Sequence, residues 1–404
     1  MPSRGKTWLF RLSAVSLGVA VAFLAAEAFL RAWDAVHHEP SPTATIYAFC
    51  ATRHHCLLPN ARYRHSSYEF DYVWTNNALG MRDRPHARRK APGTFRILFL
   101  GDSFIEGHGV RLRETIVSRL EASLNRPSRA QNIEILNAGV FGYSPILEYL
   151  YLREIFDSVE PDLVIVGFFL GNDVGEDYFY THKARFAPAG EAASFHDHDW
   201  PWSIIERALD GDTMSPSALG SAAPHGGAWW PLAKDALRHS RALTLVKHRL
   251  DGLRYPQRRA REFALVRKHR GDIRYDLGVV NYPVLSRRKR SAYWRFSKKY
   301  LEKIVTFCRA HGAQTVLLVI PPVERLNGQT QFDEPYRVLD TIGGKLAIPV
   351  VQLLLDFLGR NPESLYYKFD RHWTAKGHEL AAKVLDRELR RLDVLPPVQR
   401  RTHA

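Results

Sequence analysis

The stretch Phe95–Gly109, FRILFLGDSFIEGHG, decides the fold, because its apolar run Ile97 to Leu100 ends abruptly in Gly101-Asp102-Ser103. A continuous apolar run bounded by glycine reads as a strand buried on both faces of a parallel sheet. Ser103 then stands at the carboxyl end of that strand, the edge where open α/β sheets bind ligands. A serine hydroxyl is a weak nucleophile until a base takes its proton. The rest of the chain must therefore supply a histidine and an acceptor to orient it.

Outward from this strand the sequence alternates apolar strands with amphipathic helices. Helices are expected near Thr115 to Leu124, Pro145 to Phe156, Ala292 to His311, Glu334 to Lys345 and Thr374 to Leu392. Strands are expected at Ile133 to Leu136, Leu163 to Phe169, Thr315 to Ile320 and Val350 to Leu353. This alternation implies a three-layer α/β/α, flavodoxin-like parallel sheet of about five strands. Regular alternation stops from about 175 to 291, a span carrying Trp200, Trp202, Trp229 and Trp230. So long a stretch reads as an insertion with helices of its own, placed over the site.

The candidate partners of Ser103 all lie at strand ends. Asp370-Arg371-His372-Trp373-Thr374 is a polar loop before the last helix, with Thr374 as its expected cap. In an extended segment residues i and i+2 project to the same side, so Asp370 would reach one nitrogen of His372 while the other faces Ser103. Acyl transfer also needs donors aimed at the oxyanion. Asn137-Ala138-Gly139-Val140-Phe141-Gly142 and Gly171-Asn172-Asp173 offer a backbone N–H beside glycine and a side-chain NH2. His108 is a rival base by its nearness to Ser103. Gly107-His108-Gly109 lacks the third glycine of a dinucleotide fingerprint, no phosphate loop follows, and the serine is not in a Gly-x-Ser-x-Gly elbow.

GDS, NAGVFG, GND and DRHW, in that order, resemble the SGNH (GDSL-type) hydrolases, a superfamily of esterases and acyltransferases, over about Phe95 to Leu392 apart from the insertion. The resemblance implies catalysis by Ser103, Asp370 and His372. It also implies an oxyanion hole of the Ser103 and Gly142 N–H groups with the Asn172 side chain. Members usually place the aspartate three residues before the histidine, where this chain has Phe369. Spacing of two is similar to exported, membrane-anchored members, whose ending reads Asp-x-His-Trp and continues to a Gly-His pair, here Gly377-His378. Their leader and Asn-x-x-Gly-x-Arg arm also resemble Glu27 to Arg31 and Asn77 to Arg82. The expected activity is a serine esterase acting on O-acyl esters, acetyl among them, of a cell-surface polysaccharide through an acyl-enzyme. The alternatives are an O-acyltransferase modifying an exopolysaccharide, a lipid-directed esterase or thioesterase, and a noncatalytic polysaccharide-binding protein. No cofactor is called for.

The amino end carries Arg4, Lys6 and Arg11 before an uncharged run from Leu12 to Ala26. An uncleaved signal anchor and a cleaved signal peptide both fit, with small residues at Ala20-Val21-Ala22 and Ala26-Glu27-Ala28. Either way the basic flank stays on the cytoplasmic side of a bacterial-type membrane and the later chain lies outside, periplasmic or secreted. The chain thus divides into an anchor at 1–35, an extended arm at 36–94, a hydrolase domain at 95–395 with the insertion, and a tail at 396–404. The arm has a strand-like centre at Tyr68 to Trp74 and a turn at Asn77 or Gly80.

Between Arg241 and Tyr300 there are 18 Lys and Arg against 4 Asp and Glu, a net +14 of the chain's formal +15. That segment suits an anionic polymer or phospholipid headgroups, export argues against nucleic acid, and a solvated basic surface is the plain alternative. Three cysteines are too few for a disulfide scaffold, although Cys50 and Cys56 could close a small ring. Cys308 is expected as a buried apolar residue. No His/Cys cluster has zinc spacing, so no structural metal is expected.

Overall fold

The computed structural model describes residues 4–37, 46–50, 53–126, 132–183, 287–328 and 333–397, with 240, 242–243, 246, 250, 253–254 and 257. Nine strands are described: β1 Tyr47–Cys50, β2 His54–Leu57, β3 Arg62–Ser66, β4 Asp71–Thr75, β5 Phe95–Gly101, β6 Ile133–Gly139, β7 Leu163–Phe169, β8 Gln314–Ile320 and β9 Val350–Gln352. The longer helices are α1 Arg4–His37, α3 Ile116–Leu124, α4 Pro145–Val159, α5 Asp173–Lys183, α6 Arg287–Ala310, α7 Asp333–Leu346 and α8 Ala375–Arg391; the one-turn α2 is Ser103–Glu106. The four insertion tryptophans lie outside the described residues.

Strands β5 to β9 form one parallel sheet in the order β6-β5-β7-β8-β9. Numbered from β5 this is 2-1-3-4-5, the flavodoxin-like order, and its topological switch point lies at β5 and β7. Side chains alternate between two cores, as a strand's period of two requires. Leu98, Leu100, Val164, Val166, Leu317 and Val319 face the α4, α6 and α7 side. Ile97, Phe99, Ile165, Val316 and Leu318 face α3 and α8. Cys308 on α6 is fully buried among the first set.

β5 reaches the switch point and turns at once into α2. Asp102 is the N-cap, its carboxylate accepting the Phe104 N–H at 2.9 Å, and Ser103 is the first helical residue. The turn seats tightly on the end of β6. A Cβ on Gly139 would lie 2.3 Å from the Glu106 nitrogen and 2.7 Å from the Ile105 carbonyl carbon. Gly139→Ala is therefore expected to push α2 outward and destabilise the fold by about 3 kcal/mol, read by urea unfolding of the full chain. Stability within about 0.5 kcal/mol of wild type would contradict that close packing.

The segment before the sheet is not an extended arm. It folds into two antiparallel hairpins, β1–β2 and β3–β4, with β4 beginning at Asp71 rather than Tyr68. Arginine, histidine and aromatic residues alternate in these short strands, whose buried Tyr47, Leu57, Tyr72 and Trp74 join the core cluster that also holds Leu98 and Leu100. The Asn77–Gly80 turn is present, with Gly80 at φ 69° and its N–H on the Asn77 carbonyl at 3.1 Å. After it, fully buried Arg82 donates to the carbonyls of Glu106 at 3.0 Å, Gly107 and Val110, and its guanidinium lies 4.1 Å from the Trp74 ring centroid. Cys50 and Cys56 both lie on the first hairpin and are not joined by a disulfide.

Helix α1 is long and apolar enough over Arg11–Trp33 to cross a membrane, and its large apolar side chains are uncovered. At 1.5 Å per residue those 23 residues span about 35 Å, against a hydrocarbon core of about 30 Å.

Candidate active site

Ser103 Oγ lies 2.7 Å from His372 Nε2, and His372 Nδ1 lies 2.6 Å from Asp370 Oδ1. The three side chains come from opposite ends of the sequence and meet at the carboxyl edge of the sheet. The Asp370–His372 pairing does not arise as an extended segment would give it. Residues 368–370 form a turn, Arg371 sits at φ 71°, and the loop is closed by the Tyr366–Trp373 bridge. The carboxylate thus reaches the imidazole by folding back on it. An ion pair between Arg371 and Glu324 holds the left-handed residue in place.

Asp370 is nearly buried, and burial alone would raise its pKa. The charges and hydrogen bonds of His372 and His108 outweigh that and hold the carboxyl well below the usual range. Its second oxygen lies 3.4 Å from His108 Nε2. His108 therefore does not face Ser103 as a rival base; it flanks the far side of the aspartate. Burial pushes the His108 pKa down, so a neutral ring can donate its Nε2–H to the carboxylate. The His108 and Phe104 rings pack against His372 at centroid distances of 4.4 and 5.0 Å.

Neutral imidazole at Nδ1 donates to Asp370, which leaves Nε2 unprotonated toward Ser103. From the arm, Glu69 accepts the Asp370 N–H at 2.7 Å and the Phe369 N–H at 3.1 Å, fixing the loop's backbone. Glu69 and the true position of His108 were not visible in the sequence. Glu69 is separated from its partner by 301 residues, and nothing local marks it.

The expected oxyanion donors lie on the neighbouring loops. Ser103 N–H belongs to the first turn of α2, where helix geometry leaves it without an intrahelical acceptor. Gly142 adopts φ 70°, a conformation natural to glycine, and among the described residues no acceptor is recorded for its N–H. Its loop is held by the first arm hairpin. His55 Nε2 meets the Phe141 carbonyl at 2.5 Å, and the Tyr143 hydroxyl donates to the His55 carbonyl at 2.5 Å. Asn172 follows β7 and gives one Nδ2 hydrogen to Glu176 Oε1 at 3.0 Å, leaving the other for a ligand. Glu176 is thus the residue that orients the amide.

Behind this edge lies a layer of acidic side chains. Asp102, Glu106, Glu148, Asp173 and Asp177 are all fully buried. Burial pushes Asp102 and Asp177 up to about 7 and Glu106 up to about 8, and drives Glu148 and Asp173 well above the usual carboxyl range. An unfolded aspartate ionises near about 4, so over the window from there to about 7 the native state holds a proton that the unfolded chain has lost. Stability from Asp177 is therefore full below that window and is lost as pH rises through it.

Asp177→Asn removes the titration and keeps an oxygen for the Ile146 N–H, which Asp177 accepts at 2.9 Å. Relative to wild type, the variant is expected to gain about 3 kcal/mol of stability between pH 5 and 8, measured by urea unfolding in mild detergent. The buried histidines act in the opposite sense over part of this range, so only the difference between the two proteins is informative. An unchanged difference would contradict the protonated state of Asp177.

Among the described residues, the group close enough to hold a metal ion is His108, Asp370 and His372, with ligand atoms within 4.8 Å of one another. The same atoms form the hydrogen-bonded relay just described.

No family model matches the sequence, and no curated protein matches it. Among solved structures the chain is similar to Axe2, an acetylxylan esterase from Geobacillus stearothermophilus, at 12% identity over 76% of this chain and 97% of that one, with a TM-score of 0.40. It is also similar to the lipase/acylhydrolase from Enterococcus faecalis, at 13% identity over 76% and 100% of the two chains and a TM-score of 0.38. Similarity to TesA is at 12% identity over 74% and 99%, with a TM-score of 0.39.

Proposed function

We propose that the chain is a serine esterase of the SGNH type. The observation that carries this reading is the continuous relay from Ser103 through His372 to Asp370, with bonds of 2.7 and 2.6 Å. As Ser103 Oγ attacks the ester carbonyl, His372 Nε2 takes the hydroxyl proton, and the tetrahedral oxyanion is met by the Ser103 and Gly142 N–H groups and the Asn172 amide. Collapse expels the alcohol, which receives the proton from His372 and leaves an acyl-Ser103. Water then attacks the acyl carbon with the same histidine as base, releasing the acid and restoring the hydroxyl. A sugar hydroxyl in place of water would make the second half-reaction a transfer.

The proposed substrate is an O-acyl ester, acetyl among them, on a cell-surface polysaccharide, presented outside a cytoplasmic membrane to which α1 anchors the enzyme. That assignment is supported by the sequence resemblance to exported members and by the uncovered apolar helix. A fluorophosphonate should form one stoichiometric adduct, located on Ser103 by mass spectrometry. The full chain should also hydrolyse short-chain nitrophenyl esters faster than long-chain ones. Labelling elsewhere, with no ester turned over, would defeat the catalytic reading; a long-chain preference would shift the substrate to lipid.

A further inference from the structure

His108 has no place in the proton path from Ser103 to Asp370, yet it is packed tightly beside that path. It is 5% exposed, and the rings of His65, Phe70 and His372 enclose it at centroid distances of 4.8, 5.4 and 4.4 Å. Its Nε2 faces Asp370 Oδ2 at 3.4 Å, while His372 Nδ1 faces Oδ1 at 2.6 Å. One carboxylate therefore stands between two imidazole nitrogens.

Two imidazoles and one carboxylate are a donor set that zinc takes in proteins, with the fourth position left to water. Zinc bonds of about 2.1 Å at tetrahedral angles place two ligand atoms about 3.4 Å apart. The three donor atoms here already lie within 4.8 Å of one another, so small side-chain adjustments bring them onto one ion. Imidazole binds zinc as the neutral ring, the form His372 takes as a base. Of the two histidines His372 is the more open, its side chain 16% exposed against 5% for His108, so the ion's approach is past His372.

Binding needs no net loss of protons. Paired with Asp370, neutral His372 carries its proton on Nδ1. A metal at that nitrogen moves the proton to Nε2, where Ser103 Oγ, 2.7 Å away, accepts it. His108 likewise exchanges an Nε2–H for an Nδ1–H. Metal-bound histidines characteristically donate their other N–H to an oxygen, which fixes the tautomer. The nitrogen that should take the serine proton is then capped by one of its own.

We infer that His108, Asp370 and His372 form an inhibitory zinc site, which silences Ser103 without touching it or the oxyanion donors. The effect on rate rests on the reading of Ser103 and His372 as nucleophile and base; the site itself does not. Substrate contacts are left intact, so zinc should lower kcat and leave KM in place.

The test titrates the full chain, stripped of metal and held in mild detergent, with zinc chloride, and follows nitrophenyl acetate turnover beside calorimetry. As one equivalent binds, kcat should fall by at least about 100-fold, the consequence of the wrong tautomer, and EDTA should restore it. His108→Gln keeps a neutral donor for Asp370 and loses the imidazole ligand, so zinc affinity should fall by about 10- to 100-fold or more in both readouts. His311→Gln, at an exposed histidine just beyond α6, should bind zinc as the wild type does. X-ray absorption of the unsubstituted protein with one equivalent of zinc should show two imidazoles and no sulfur. Sulfur ligands would place the ion at the cysteines and overturn the inference. So would no zinc bound, zinc bound without loss of rate, a raised KM with kcat intact, or undiminished affinity in His108→Gln. An enzyme that turns over no ester would defeat the esterase reading alone, and calorimetry with X-ray absorption would still decide the site.

Discussion

Ser103→Ala is expected to reduce kcat for ester hydrolysis by at least about 10⁵-fold while leaving the protein folded. The argument has two parts. The hydroxyl is the only atom lost, and it is the one whose proton passes to His372 across 2.7 Å. Everything that shapes the site remains, because Asp102 still caps α2 and the backbone N–H at position 103 still points outward. The residual rate should reflect the oxyanion donors acting on water-driven hydrolysis, so substrate affinity should change little. Nitrophenyl acetate turnover and thermal unfolding of wild type and variant decide the matter together. A folded variant retaining more than about one part in a thousand of the activity would rule out Ser103 as nucleophile.

Asp370→Asn is expected to cost about 10⁴-fold in kcat, far more than its near-identical shape suggests. The carboxamide can place its oxygen on only one neighbour. His108 Nε2, on the Oδ2 side at 3.4 Å, is a donor when neutral and takes the amide oxygen. The NH2 then faces His372 Nδ1, which must become the acceptor, and the ring proton moves to Nε2 against Ser103. The histidine is left pointing a proton at the group it should deprotonate. Adding His108→Leu frees the amide to turn, so the double variant should recover part of the loss. No recovery would mean that His108 does not set the orientation at position 370.

The parallel sheet was legible because each core strand is a run of aliphatic residues ending in glycine or a small polar group, the pattern burial on both faces demands. The placement of Ser103 and Asn172 was legible for a related reason, since a polar residue just after such a run lies at the sheet's ligand-binding edge, whereas His372 sits in the loop before the last helix, well beyond β9. The Asp370–His372 pairing was expected from an extended segment and is made instead by a turn, since spacing alone cannot distinguish an extended pair from a turn with one left-handed residue. Glu69, Glu176 and the true orientation of His108 could not be read. They act through single contacts made by tertiary packing, and an isolated glutamate among aromatic residues carries no periodic signal. Of the four hairpin strands only β4 was signalled, by the strand-like centre at Tyr68 to Trp74; β1, β2 and β3 were hidden because they are short and mix arginine and histidine with aromatic residues.

Those hairpins reach all but one of the loops that make the site. The first holds the Phe141–Tyr143 turn, the second holds the Asp370 backbone through Glu69, and Arg82 fastens the chain just beyond Ser103. The sheet alone is consequently not the minimal enzyme. A recombinant fragment trimmed to start at Phe95 would keep Ser103, Gly142, Asn172, Asp370 and His372 and lose the framework that holds their loops in register. A useful expression boundary falls before Ile46 instead, and random changes in the hairpins should surface in screens as activity defects far from any substrate.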